Sequence, residues 1–141
     1  MRKAFTLIEL LIVMAVIAIL IGIAIPSFRG MQEEAKKAKA GGDLRVLKLA
    51  VEAYNANNGV YPALLASVEG SSVVQTLPKD PFTDSSNYRY SLSSNGRYYI
   101  IYSVGPNNTT TASISDSGVV TVGDSSQIGT TNGTPPNSNW K

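Results

Sequence analysis

The side chains that enzymes most often use for nucleophilic and acid–base chemistry are scarce in this chain of 141 residues. It has no Cys and no His, which excludes thiol catalysis, imidazole acid–base catalysis, a disulfide framework and the usual zinc sites. Lys79 and Asp80 are close in sequence to several serines, but neither a Ser-x-x-Lys nor a Gly-x-Ser-x-Gly pattern organises them. The sequence therefore predicts a protein that is not an enzyme.

One acidic residue, Glu9, stands at the start of a strongly apolar stretch. Sixteen uncharged residues follow it, from Leu10 to Ile25, and with residues 5–8 they are long enough to cross a hydrocarbon layer of roughly 30 Å as a helix. A charged side chain at the centre of a bilayer costs about 2.5–3.5 kcal/mol. Glu9 therefore needs a partner in order to stay ionised, unless it lies at the headgroup level of a static anchor.

The charges at the N-terminus indicate an orientation. Arg2 and Lys3 precede the apolar stretch, so the positive-inside rule keeps residues 1–4 in the cytoplasm and places the C-terminal bulk outside. The formal net charge of +2 is too small to indicate a nucleic-acid-binding surface, and no nucleic-acid partner is expected.

The first 26 residues resemble a known signal. The run Ala-Phe-Thr-Leu-Ile-Glu-Leu at positions 4–10, followed by the apolar stretch and Pro26, is similar to the class III signal of type IV pilins and pseudopilins. The resemblance implies that a prepilin peptidase cuts between Ala4 and Phe5 and methylates the new amine, so that residues 1–4 are a leader peptide. The family usually has Gly where this chain has Ala4.

The resemblance also gives Glu9 a role in assembly. In a filament of parallel helices, the ammonium group of Phe5 in one subunit can lie beside the Glu9 carboxylate of a neighbour. In lipid, such a pair would offset two charges that neither subunit satisfies alone, and it would favour assembly in register.

The pattern predicts a helix from Phe5 to about Asn57, roughly 80 Å long at 1.5 Å per residue. Its first part, residues 5–26, is a transmembrane or filament-core helix, and residues 27–58 form an amphipathic helix. Gly22 and Pro26 are its weak points, where a kink or local melting is expected.

The second half of this helix carries a packing stripe. Leu44, Leu47, Val51 and Tyr54 recur at helical spacing and are expected to pack on a sheet. Gly41 and Gly42 leave two alternatives, in which Asp43 either caps a new helix or continues the old one. Gly59 is the candidate C-cap.

The sequence predicts an α+β, pilin-like fold, in which residues 59–122 form a globular head with an antiparallel sheet of three or four strands packed on the stripe. The strands are expected at residues 88–92, 98–104, 112–115 and 119–122. Asn95-Gly96 joins the first pair and Asp116-Ser117-Gly118 the second, as hairpin turns. The tyrosines of these strands either form a sugar-stacking surface or pack across the strands. Residues 123–141 form a polar C-terminal tail, either flexible or laid over the sheet and pinned by Ile128 or Trp140.

Two motifs of the head, Asn-Gly-Val-Tyr-Pro at 58–62 and Leu-Pro-Lys-Asp-Pro-Phe at 77–82, resemble the major pseudopilin family of type II secretion systems. That resemblance implies a calcium ion in a C-terminal loop, for which Asp116 and Asp124 are the candidate ligands. Residues 106–109 depart from the family's usual Asp-Gly-rich stretch, and the alternative is that both acids serve turns.

The most consistent function is that of a structural subunit of a helical filament, the major pseudopilin of a type II secretion system. The resemblance implies several partners, namely further copies of the chain, a prepilin peptidase, an inner-membrane assembly platform, minor pilins or pseudopilins, and lipid before assembly. It implies insertion in a bacterial inner membrane with a periplasmic C-terminal domain. The alternatives are a type IV pilin of a surface fibre and a static membrane anchor that carries a binding domain.

Overall fold

A long helix, α1, spans Leu7–Asn58 in a computed structural model that describes residues 5–83 and 86–140. The helix passes Gly41 and Gly42 without interruption, so Asp43 continues it and does not cap a new one. Two helical glycines cost about 1 kcal/mol each relative to alanine. Burial of Ala40, Leu44 and Leu47 immediately beside them offsets that cost.

The C-terminus of α1 follows the sequence expectation. Gly59 adopts φ +74°, a left-handed conformation that suits glycine, and its N–H donates to the carbonyl of Asn55 at 2.7 Å. Gly59 is therefore the C-cap, as predicted.

The chain divides into two compact units, with the boundary after Ala35. In the first unit the large apolar side chains of α1 are exposed, from 44% for Ile17 to 88% for Leu7. Among the described residues, α1 is the helix long and apolar enough to cross a membrane. Such a surface needs lipid or other protein around it.

The described residues of the second unit, which begins at Lys36, form five strands. They are β1 (Arg89–Leu92), β2 (Tyr99–Ser103), β3 (Ala112–Ile114), β4 (Val120–Val122) and β5 (Ile128–Thr131). A short 3-10 helix, Leu65–Val68, precedes them. One antiparallel sheet has the order β1-β2-β5, and β3 pairs with β4 in a separate two-stranded sheet.

The expectation of a single sheet with three or four strands was therefore incomplete. Both predicted hairpins form, with Leu92 opposite Tyr99 in the first and Ile114 opposite Val120 in the second. The fifth strand comes from the tail, where Thr130 pairs with Ile101. The sequence Ile-Gly-Thr-Thr has no clear alternation of apolar and polar residues, so its strand pattern is weak. Its pairing with β2 makes it a strand.

The core is organised on the two faces of β2. Tyr99 and Ile101 face the helix and pack in one cluster with its stripe, and Ile100 and Tyr102 pack in a second cluster with Val120. Because successive side chains of a strand point to opposite faces, a strand buried on both sides brings both clusters together. The predicted packing of the sheet on the Leu44–Tyr54 stripe is confirmed.

Tyrosine hydroxyls join the sheet to carboxylates of α1. Tyr99 donates to Glu52 at 2.7 Å, Tyr61 donates to the other oxygen of Glu52 at 3.2 Å, and Tyr88 donates to Asp43 at 2.9 Å. Burial is the first cause that raises the pKa of Tyr88 and of Tyr99, and the carboxylate bonds add to it. Tyr88 and Tyr99, two of the tyrosines of the predicted strands, are therefore packed within the protein.

The C-terminal tail is not free, because it first contributes β5 to the sheet and its end then packs on the sheet through Trp140. Trp140 is 3% exposed and stacks on Tyr102, with ring centroids 6.1 Å apart. Its ring lies directly against the backbone of β5, since a Cβ at Gly129 would come within 2.6 Å of it. Gly129 is required at this close approach.

Replacement of Trp140 by Ala should lower the free energy of unfolding by about 3–5 kcal/mol, because it removes a large buried ring that packs on Tyr102 and Gly129. Denaturant unfolding of the full chain in detergent measures this. Leu64→Ala is the matched control, since this exposed side chain should change stability by no more than about 0.5 kcal/mol. Equal losses in both variants would contradict the assignment of Trp140 to the core.

Candidate functional site

The first functional segment is the N-terminal turn of α1. Thr6 directly precedes the helix and Glu9 is its third residue. The Glu9 carboxylate accepts from the backbone N–H of Thr6 at 3.0 Å and from its hydroxyl at 2.9 Å, and the Glu9 N–H donates to the Thr6 hydroxyl at 3.3 Å. This reciprocal arrangement is a capping box, and the Thr-x-x-Glu spacing is its sequence signal.

The capping box fixes the Glu9 carboxylate at the N-terminal end of the helix. Thr6 is thus a partner for Glu9 within its own chain, which the apolar pattern around Glu9 did not reveal. A carboxylate offers about four acceptor positions, so the bonds to Thr6 leave capacity for a further donor. Phe5 is 80% exposed beside it, and Ala4 lies outside the described residues.

Gly22 and Pro26 are four positions apart, which is the spacing of one backbone hydrogen bond in an α-helix. In an α-helix the carbonyl of residue 22 accepts from the N–H of residue 26, but proline has no N–H to donate. The carbonyl of Gly22 therefore loses its regular helical partner. The backbone is helical through both positions, and local melting there stays a prediction.

A second site of interest is the loop that contains Asp80. Its side chain is 1% exposed and accepts three hydrogen bonds, from the Ser103 hydroxyl at 2.8 Å and from the backbone N–H groups of Val104 and Phe82, both at 3.0 Å. One carboxylate thus ties the loop to the end of β2. Its signal in the sequence is the Asp-Pro pair, which favours a turn, although the distant partners at 103–104 could not be read from it.

The residues with potential for nucleophilic chemistry have separate structural partners. The Lys79 ammonium group donates to the side chain of Asn87 at 2.8 Å, while Asp80 accepts from Ser103. The arrangement anchors the loop.

Each of the two candidate calcium ligands accepts hydrogen bonds from nearby donors. Asp116 accepts from the backbone N–H of Asn95 at 2.9 Å, in the turn between β1 and β2. Asp124 accepts from the Ser126 N–H at 2.6 Å and from the Asn107 amide at 2.8 Å, and these two bonds hold its pKa below the ordinary value. The described residues contain no group of three or more acidic or imidazole side chains placed to hold a metal ion.

Calcium takes about six to eight oxygen ligands. Here the carboxylate oxygens face N–H donors, whose positive ends would repel a cation. The Ser126 hydroxyl is buried without a hydrogen-bond partner among the described residues, but a single oxygen suits a water molecule better than an ion. Both acids thus accept hydrogen bonds of the kind that stabilise turns.

Comparison with protein-family models gives two matches along the chain. Residues 1–25 match the prokaryotic N-terminal methylation motif, and residues 27–122 match the model described as type II secretion system (T2SS), protein G. The second match ends before β5 and Trp140.

Several curated proteins named type II secretion system core protein G are similar to this chain. The protein from Escherichia coli (strain K12) is 32% identical over 77 residues, or 55% of this chain and 53% of the relative. The protein from Vibrio cholerae is 34% identical over 91 residues, or 63% and 59%. The protein from Klebsiella pneumoniae is 28% identical over 123 residues, or 74% and 85%. The match thus spans little more than half of the first two relatives, and comparison with solved structures gives no significant match.

Replacement of Asp80 by Asn should destabilise the head by about 1–3 kcal/mol, because an amide group would face an N–H donor where the carboxylate now accepts. The melting temperature of the full chain in detergent reports this. Asp116→Asn makes the same chemical change on an exposed turn and should cost less than about 0.5 kcal/mol. An Asp80→Asn protein as stable as the Asp116→Asn protein would contradict the anchoring role.

Proposed function

Since the chain belongs to the type II secretion system protein G family, we propose that it is the major pseudopilin of such a system, a structural subunit of a helical filament. The observation that carries the proposal is the exposed apolar surface of the first unit, on a helix that begins with the methylation motif. Water is a poor environment for that surface. Lipid before assembly, and the helices of other copies afterwards, would bury it.

Processing is the first step of the proposed assembly. A prepilin peptidase would cut between Ala4 and Phe5 and methylate the new amine, after which Phe5 carries the N-terminal positive charge. Before assembly, the subunit would span the inner membrane with its head in the periplasm. The basic residues before the helix favour this orientation. An inner-membrane platform and minor pseudopilins would be its assembly partners.

The Glu9 carboxylate is the proposed acceptor for that amine in a neighbouring copy. The capping box supports this role, because it holds the carboxylate at the helix end while leaving acceptor capacity. An ammonium–carboxylate pair in lipid is strong only when both groups meet, so a subunit out of register would leave both charges unpaired. The pair would therefore select the correct register.

In the proposed filament, the segment between Gly22 and Pro26 is where the helix would open. The carbonyl of Gly22 has lost its helical donor, so the turn around it is the least costly one of the helix to open. Melting between these positions in the filament would lengthen the subunit without disturbing the head.

The part of α1 in the second unit also offers apolar surface to a neighbouring copy. Leu49 is 63% exposed and Val46 is 43% exposed, while Leu47 on the opposite side of α1 is fully buried against the sheet. One side of this part of the helix thus belongs to the core, and the other is open for contact between copies.

The test of the function is the protein content of the culture medium before and after deletion of the gene. A set of folded proteins should disappear from the medium and accumulate in the periplasm, because the filament that drives their export is missing. The intact gene supplied in trans restores secretion if the loss is specific. Unchanged secretion together with lost surface fibres would contradict the proposal and favour the type IV pilin.

Replacement of Glu9 by Val should abolish incorporation into filaments while membrane insertion remains. Thr6→Ala is the matched control from the same turn, since it removes the cap, at about 1 kcal/mol, but keeps the carboxylate. Sedimentation of sheared filaments and membrane fractionation measure the two steps. If Thr6→Ala blocked assembly as completely as Glu9→Val, Glu9 would act as a helix cap and not as the acceptor for a neighbour.

A further inference from the structure

Two loops at one end of the head are held together by a buried glutamine. Gln127 is 0% exposed, and its side-chain oxygen accepts from the N–H groups of Gly123 at 3.2 Å and Asp124 at 3.4 Å. Its side-chain nitrogen donates to the carbonyl of Thr109 at 2.8 Å. One neutral side chain therefore bridges the segment that follows β2 and the segment that follows β4.

A second amide joins the same two segments. The Asn107 side chain donates to the Asp124 carboxylate at 2.8 Å, and the other oxygen of that carboxylate accepts from Ser126. The negative charge of Asp124 is thus met by N–H groups from both segments.

The backbones of the two segments also approach closely. Gly105 adopts φ +70°, and a Cβ there would lie 2.6 Å from the carbonyl oxygen of Ser126. The Gly123 N–H donates directly to the carbonyl of Thr111 at 2.8 Å. The segments meet through direct hydrogen bonds and direct packing, in which oxygens of Asp124, Thr109 and Thr111 accept from N–H donors.

We propose that Gln127 and Asn107 form an amide clamp that closes this end of the head in place of a calcium ion. An ion would draw the Asp124 carboxylate and nearby carbonyls together by its charge. Here the N–H groups supply the positive ends, and they do so without desolvating a divalent cation. The head therefore folds and keeps its stability without calcium.

The clamp concerns the head alone and does not depend on the filament. Its sequence signal was absent, because a single Gln in a polar stretch has no pattern that distinguishes it from a surface residue. Only the folded chain shows the role of Gln127, because Thr109, its partner in the other loop, lies 18 positions away.

The test uses the full chain in detergent, with thermal unfolding followed by near-ultraviolet circular dichroism. Melting temperatures in excess chelator and in millimolar calcium chloride should agree to within about 1 °C. Calcium at a hundred times its dissociation constant at a specific site would instead raise the melting temperature by more than about 10 °C. A rise of that size in the unaltered protein would overturn the proposal.

Replacement of Asn107 by Asp adds the complementary test, because it places a second carboxylate where an amide now donates to Asp124. The melting temperature in chelator should fall, and millimolar calcium should restore part of the loss, since a cation can bridge two facing carboxylates. Asn57→Asp makes the same charge change on an exposed position of α1 and should show no response to calcium. An Asn107→Asp protein that melts like the unaltered one in chelator would show that Asn107 does not hold the loop, and the clamp would be refuted.

Discussion

The head depends on the burial of β2 on both faces. Tyr99 and Ile101 pack against the helix, and Ile100 and Tyr102 pack against the second sheet and Trp140. The residues next to β2 in sequence are too few to bury both faces of this five-residue strand. Segments from the start and the end of the unit bury them instead. The helix, the two hairpins and the tail are therefore parts of one core, and loss of any cover exposes a face of β2.

Polar groups in this head act as connectors between segments that are distant in sequence. Glu52 receives two tyrosine hydroxyls, Asp80 ties a proline-rich loop to the end of β2, and Gln127 bridges two loops. Each is buried or half-buried, so each must have its hydrogen bonds made inside the protein. A small sheet of short strands gains its specificity from such bonds, because its apolar core alone is modest.

The first unit follows the opposite principle. Its large apolar side chains are exposed among the described residues. This is consistent with the proposed filament subunit, which lipid or other copies would complete. The capping box at Thr6 and Glu9 is the exception, a polar contact that organises the end of an apolar helix.

The sequence by itself determined the elements whose signal is local. The apolar run, the stripe of Leu44, Leu47 and Val51, the glycine cap and the two hairpin turns are periodicities or short patterns, and each appears in the structure. Only the tertiary structure decided where the tail packs, which groups bind the Asp80 carboxylate and what Gln127 and Asn107 contact. Their partners lie many positions away, and in such cases the energy comes from a contact that only the folded chain creates.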